Sequence, residues 1–248
     1  MRRIMASVLA LAVLAGGAAP RAEEGKTSGS SIKVEAGAEA GHINNDFWWT
    51  YLYAPYLKVC RYGDGFNFDA RVRSLFTNEK EEGDPGNRVK ENMDGWDARG
   101  LVGLSDTQEG LTGTLLAGVS WHSFNLELED ATGKAKAKLE VMAVEAGGRV
   151  SGKLSDNVTL AAYGTAGVIA YGTYETEIAG VKDHCDTNNG IVAEVGITLD
   201  WQLSRHWGLL FGAAYEHLHT EPETGPQPVR EPLDIAKFVG QLGLNVRF

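Results

Sequence analysis

From residue 32 to residue 248 the dominant period of this chain is two, and a two-residue period is the signature of β-strands. The last segment is the clearest. Phe238, Gly240, Leu242, Leu244, Val246 and Phe248 fall on one face, and Lys237, Gln241, Asn245 and Arg247 fall on the other. Before it, Trp207, Leu209, Phe211, Ala213 and Tyr215 lie opposite Gly208, Gly212 and Glu216. Ile191, Ala193, Val195, Ile197, Leu199 and Trp201 alternate with Glu194, Gly196, Thr198, Asp200 and Gln202. Earlier segments repeat the pattern. Apolar residues alternate with Lys33, Glu35 and Glu39, with Asp69, Arg71 and Arg73, with Asp97 and Arg99, and with Ser120 and His122. Three segments are less regular. Residues 47–61 contain Pro55, a defect in any ladder. Residues 137–150 change phase near Ala143-Val144, which predicts a bulge there. Residues 158–174 are rich in Gly and Tyr and have no sharp polar face. These segments amount to ten candidate strands.

The connections alternate in length. Those at 62–65, 105–110, 151–157 and 204–206 are short and polar, whereas 78–95, 175–189 and 220–232 on the alternate side are long; on that side 42–46 is short and 130–134 modest, so three of its five connections fit. Short turns on one side and long loops on the other are the habit of transmembrane barrels. Trp48-Trp49, Trp96, Trp121, Trp201, Trp207 and Tyr215 lie near strand ends, as interfacial aromatic girdles do. No helical segment suited to covering a soluble barrel appears. The expectation is a closed antiparallel up-and-down transmembrane β-barrel of ten strands over 32–248, eight and twelve being the neighbouring even counts. Its charged faces should look inward and its apolar faces should meet lipid.

The N-terminus is read apart from the barrel. Arg2 and Arg3 precede an apolar run at 4–14, and small residues follow at 16–19. This is the three-part pattern of a secretory signal peptide, expected to span 1–22 with cleavage after Ala18, Ala19 or Ala22 and a short segment at 23–31. The 11-residue apolar run is too short to cross a bilayer as a helix. Net charge is −10 without a Lys/Arg cluster, which argues against nucleic acid as a partner. Cys60 falls near the inner end of its strand and Cys185 in an outer loop, so no disulfide is expected between them.

The chain ends in Phe248, with apolar residues at alternate positions back through Val246 and Leu244 to Leu242. This resembles the C-terminal strand signature of bacterial outer-membrane proteins. The resemblance implies an outer-membrane address, recognition by the barrel assembly machinery, and lipid and lipopolysaccharide as surroundings. Gly240, at the ninth position back, departs from the large apolar residue of that signature.

The lumen face is the candidate region for function. Glu35, Glu39, Asp69, Arg71, Arg73, Asp97, Arg99, Glu194, Asp200, Glu216, Lys237 and Arg247 should point inward, either as a self-neutralising filling or as a polar path for a solute. Ser120 and His122 share a strand face; lipid A deacylases use His, Ser and Glu, in the local order His-x-Ser rather than Ser-x-His. The ten-stranded omptin proteases resemble this topology, with acidic pairs and an Asp-x-His element at the outer rim. Here Asp183 and His184 are adjacent, and no Asp-Asp pair occupies a matching loop. His217 and His219 share a face and could bind a metal. Asp183-His184-Cys185-Asp186 could take a soft one. Neither set identifies a full ligand shell, so no catalytic residue, metal or cofactor is assigned. The sequence favours a non-enzymatic barrel acting through outer loops and a narrow charged lumen. A small channel and a barrel enzyme are the alternatives.

Overall fold

The computed structural model describes residues 31–45, 49–82, 89–130, 133–178, 180–187, 189–221 and 233–248. The expected leader at 1–22, the segment up to 30, Trp48 and residues 222–232 lie outside the described residues, as does the side chain of Trp49. Among the described residues twelve strands form: β1 (Ser31–Asn45), β2 (Trp49–Tyr62), β3 (Gly65–Thr77), β4 (Lys80–Glu82), β5 (Val89–Gln108), β6 (Leu111–Asp130), β7 (Gly133–Ser155), β8 (Val158–Ile178), β9 (Val181–Asp186), β10 (Asn189–Gln202), β11 (Trp207–Glu221) and β12 (Leu233–Arg247).

Ten of them close a ring. The order runs β1-β2-β3-β5-β6-β7-β8-β10-β11-β12, and β12 returns to β1 with Lys33 opposite Arg247 and Asn45 opposite Ile235. Every pairing is antiparallel. Closure removes the two edges that an open sheet would leave unpaired. The short strands β4 and β9 stand outside the ring, on β5 and β8.

The orientation of the faces decides the solvent. Leu242, Leu244, Ile197 and Phe211 are 56%, 52%, 56% and 40% exposed, whereas Glu194 and Arg71 are 3% and 5% exposed. A water-soluble barrel would reverse these values, because apolar surface leaves water wherever it can. Outward aromatics mark two levels. Trp201 and Trp207 sit at the end with short turns, and Tyr51, Tyr53, Tyr171, Tyr215 and Phe238 sit at the other. Trp96 and Trp121 are half-buried, and Trp121 lies mid-strand between Ala98 and Met142.

Turn chemistry fits the short end. Glu109 and Gly110 both have positive φ, 52° and 84°, and join β5 to β6 as a two-residue hairpin. Positive φ at both central residues matches the twist of the flanking strands. The inner turns are tighter than the sequence suggests, because β5 runs to Gln108 and β7 to Ser155. Pro55 interrupts the ladder between β2 and β3: Tyr53 pairs with Phe76 and Tyr56 with Arg73, and the two positions between them do not pair. Proline has no N–H to give.

Two sequence expectations change. The bulge sits at the Met142/Ala143 step, but the extra residue is Ala170 of β8, because Met142 pairs with Tyr171 and Ala143 with Ile169. The phase of β7 is therefore unbroken, and Leu139, Val141, Ala143 and Glu145 all turn inward. Residues 89–95 and most of 175–189, which read as loop in the sequence, are strand. Strands β5 to β8 run 20, 20, 23 and 21 residues, against 13–15 for the other ring strands. About 9–11 residues suffice to cross a bilayer. The surplus projects on the long-loop side as a sheet, β4-β5-β6-β7-β8-β9, standing above the membrane over half of the barrel's circumference.

The interior has two layers. Near the outer mouth it is apolar, with Ile43, Leu52, Leu75, Met93, Phe124, Leu139, Val192, Leu218 and Ile235 in one buried cluster. Ionised side chains fill it below. The boundary repeats from strand to strand: Leu75 is the next inward residue after Arg73, Phe124 after His122, Leu218 after Glu216 and Val192 after Glu194. Glycines make room for the larger polar side chains of the lower layer. Gly37 and Gly243 pair across β1 and β12, and a Cβ at Gly243 would lie 2.5 Å from the Tyr56 hydroxyl.

Candidate functional site

The ion-pair layer is built from side chains on nearly every ring strand. Glu194 of β10 is its first hub. Arg71 of β3 donates through both terminal nitrogens, at 3.0 and 2.8 Å, Arg99 of β5 donates at 2.8 Å, and the Tyr163 hydroxyl of β8 donates at 2.8 Å. Arg73 is the second hub. It donates to Glu39 of β1 at 2.8 Å, to Asp97 of β5 and to Glu216 of β11. Lys237 of β12 closes on Glu216 and lies 3.8 Å from Asp97, with its ammonium 5.3 Å from the centre of the Phe124 ring above. Gln241 donates to the other oxygen of Glu39 at 2.7 Å. Planar guanidinium groups suit this role, because each can serve two or three carboxylates in fixed directions.

A lower tier follows. Lys58 pairs with Asp69 at 2.8 Å, and the Tyr62 hydroxyl also bonds Asp69. Asp200 receives Lys33, Asn245 at 3.3 Å and Arg247 at 2.6 Å. Glu35 accepts from the Cys60 thiol at 3.7 Å. The structure thus brings eleven of the twelve inward charges into full burial, while Arg247 remains part-exposed at the rim.

Four charged participants escape a reading of the sequence. Glu145 and Arg149 lie on the inward face of β7, hidden by the apparent phase change there. Lys33 and Lys58 also turn inward, and the alternation of β1 already places Lys33 with Glu35. The sequence set holds seven acids and five bases. With these four, the described lumen carries eight of each.

Ser120 and His122 do meet: Ser120 Oγ lies 3.1 Å from His122 Nε2, and His122 Nδ1 lies 3.7 Å from Glu216 Oε1. Hydroxyl, imidazole and carboxylate are in sequence, but all three are buried beneath Phe124, which stacks on the His122 ring. Asp97, His122 and Glu216 also place one ligand atom each within 4.8 Å of one another. Arg73 and Lys237 already occupy the same two carboxylates, so a metal cation would have to displace them.

The outward histidines occupy different ground. His217 and His219 both bond Asp234 Oδ1, at 3.0 and 2.9 Å, just beyond the girdle residues Tyr215 and Phe238. The hydrogen bond to Asp234 raises the pKa of His219 above the ordinary histidine value, and the Asp234 carboxyl is held below its own.

On the projecting sheet the outward face carries charge of alternating sign from strand to strand. Lys90 faces Glu129, which faces Lys134; Glu127 faces Lys136, then Glu177, then Lys182. Lys134 reaches Glu129 at 2.8 Å and Lys136 reaches Glu127 at 2.6 Å, and that bond lowers the Glu127 pKa. The segment 183–186 belongs to this sheet rather than to a loop. His184 turns outward to Glu175 at 3.6 Å and Asp186 at 3.7 Å, while Cys185 is buried on the other face. Thiol and imidazole therefore diverge and offer no shared metal site. Cys60 and Cys185 are not joined by a disulfide and lie toward opposite ends of the barrel. Leu242 and Leu244 face outward on β12, Phe248 just beyond its end is exposed, and Val246 pairs with Val34 at the seam.

A closed ring with a lipid-facing apolar band, two aromatic levels and a charged interior defines an outer-membrane β-barrel. No protein-family model matches the chain, and no curated protein matches it in sequence. Among solved structures, the outer membrane protease OmpT from Escherichia coli is similar, with a TM-score of 0.61 at 8% identity over 90% of this chain and 99% of that one. A major outer membrane protein from Thermus thermophilus gives a TM-score of 0.45 at 14% identity, covering 88% of this chain and 99% of that one. The translocator domain of the autotransporter NalP from Neisseria meningitidis gives 0.45 at 12% identity, covering 99% and 96%. The similarity to OmpT supports the fold and nothing finer.

Proposed function

We propose that this protein is a non-enzymatic, non-conducting outer-membrane barrel of surface-protein type, acting through the sheet and loops that stand outside the membrane. The observation that carries the reading is the filling of the lumen. Eight acidic and eight basic side chains neutralise one another inside the ring, and a buried apolar cluster lies across the outer mouth. A path for ions needs continuous water, and both the packed ion pairs and the apolar layer exclude it. The outer sheet supplies a broad charged surface instead, with a cleft lined by Asp94, Glu127, Lys136, Lys138, Glu175 and His184. Outer-membrane lipid and lipopolysaccharide would flank it, and the Leu242–Phe248 strand suits recognition by the barrel assembly machinery.

The test is conductance of the refolded protein in planar lipid bilayers. No discrete current steps are expected at 100 mV, an applied field of about 2.3 kcal/mol per elementary charge. Stable steps whose size changes in Arg71→Ala or Glu194→Ala would establish a channel instead. For the surface role, cells bearing Lys136→Glu/Lys138→Glu should lose adherence to matrix proteins while keeping a normal gel shift on heating. An enzyme reading draws on Ser120, His122 and Glu216. It requires hydrolysis of a lipid or peptide ester that disappears in His122→Ala.

A further inference from the structure

Below the ion-pair layer, on the side of the short turns, the lumen holds a cavity of about 30 Å³. That is room for one or two water molecules or for one monatomic ion. Its wall is electrically lopsided. Lys33, Lys58, Arg71, Arg99 and Arg149 line it, against Glu35, Asp69 and Asp200. Counting Glu194, which holds Arg71 and Arg99 from the roof, the surroundings of the cavity carry five bases against four acids, an excess of one positive charge.

The hydrogen-bonding groups are lopsided in the same sense. Five buried donors on this wall make no hydrogen bond within the protein: the Nε atoms of Arg71, Arg99 and Arg149, the Tyr56 hydroxyl and the Thr165 hydroxyl. Two acceptors share that condition, Glu35 Oε2 and Asp69 Oδ1. Buried polar groups are ordinarily satisfied, so a cluster of unsatisfied donors around one small space calls for an acceptor. Arg149 stands out further. Its guanidinium stacks on the Tyr62 ring at 4.2 Å, and no described carboxylate pairs with it.

We propose that this cavity is a binding site for one small monovalent anion of halide size, reached from the periplasm. A cation would meet five basic side chains. A water molecule could accept from the donors, but it would leave the excess charge in place. The roof is the Arg71–Glu194–Arg99 cluster, so the site is a blind chamber rather than a step on a path. The proposal does not depend on what the outer sheet binds.

Sodium bromide is the probe, applied to the full folded chain in detergent. The urea midpoint of unfolding should rise with bromide and saturate, compared with sodium gluconate at matched ionic strength, because gluconate is too large for the chamber. In Arg149→Gln the apparent bromide dissociation constant should weaken by about tenfold. Arg205→Gln, a change in the 204–206 turn outside the lining of the chamber, should leave it unaltered. Equal midpoints in bromide and gluconate, or the same bromide response in Arg149→Gln, would overturn the proposal. Should Arg149→Gln fail to fold, anomalous scattering from wild-type crystals grown in bromide decides. A peak between Arg71, Arg99 and Arg149 supports the site, and water density there instead refutes it.

Discussion

Replacing Arg73 with alanine should be among the most damaging single changes in the barrel. Its guanidinium serves three carboxylates at once, Glu39, Asp97 and Glu216. Without it, Glu39 keeps Gln241 at 2.7 Å and Arg71 at 4.0 Å, while Asp97 and Glu216 must share Lys237. The lumen then holds one more acid than bases, in a place where water cannot reach. Removing one partner of a buried ion pair costs about 3–5 kcal/mol, which is about two to four orders of magnitude in the folding equilibrium. The assay is reversible urea unfolding in lipid vesicles, followed by tryptophan fluorescence and by band shift on unheated gels. Arg247→Ala is the internal control. That residue also pairs with an acid, Asp200, but at the part-exposed rim, so its loss should cost less than about 1 kcal/mol. Combining Arg73→Met with Glu216→Gln restores the count of charges and should recover at least about 1 kcal/mol over Arg73→Met alone. If Arg73→Ala proves no worse than Arg247→Ala, the ion-pair layer is not what holds the interior together, and the lumen is not sealed by it.

Three further outcomes follow from particular contacts. His219 is raised and Asp234 lowered by their mutual bond, so its stabilisation is complete between about pH 4 and pH 6.5, the ordinary values of the two groups. It fades as pH rises through the folded-state histidine value and as pH falls through that of the aspartate. Histidine titration by NMR should show the His219 midpoint falling in Asp234→Asn, and an unchanged midpoint would exclude the pairing. Gly243→Ala should cost about 1–3 kcal/mol of unfolding free energy, because its methyl group meets the Tyr56 hydroxyl; adding Tyr56→Phe should restore most of it, and no restoration would locate the strain elsewhere. Cys60 is fully buried beside Glu35, so in a Cys185→Ser background a water-soluble maleimide should label it only after unfolding; labelling of the folded barrel would show the inner half of the lumen to be open.

Alternation makes much of this architecture legible. Where a strand carries charge on one face and apolar residues on the other, as at 66–73 and 191–201, the direction of each side chain follows from the sequence alone. The outer half of the lumen is not legible, because Ile43, Leu75, Leu139 and Leu218 are apolar on the inward face where the outward face turns polar. Leu218 between His217 and His219 then reads as an isolated hydrophobe rather than as a wall. The sheet above the membrane is hidden for a related reason: its outward residues, such as Lys134, Lys136 and Glu127, are as charged as those of any loop. The missed pair Glu145 and Arg149 has the same origin: the inward face of β7 is apolar at Leu139, Val141 and Ala143 and charged below them, so the passage from one layer to the other reads as a change of phase. The meeting of Ser120, His122 and Glu216 depends on β6 and β11 facing each other across the lumen, which no local pattern encodes.

The seam between β1 and β12 imposes an order of events in time. The ring cannot shut until its last strand is available, because the hydrogen bonds of the first strand's free edge belong to residues 235–247. While that partner is missing, a ladder's worth of amide and carbonyl groups stays unsatisfied and open to other strands. Insertion must therefore be close to all-or-none. Until the seam closes, the first and last strands are the places where such a chain is most open to wrong pairing.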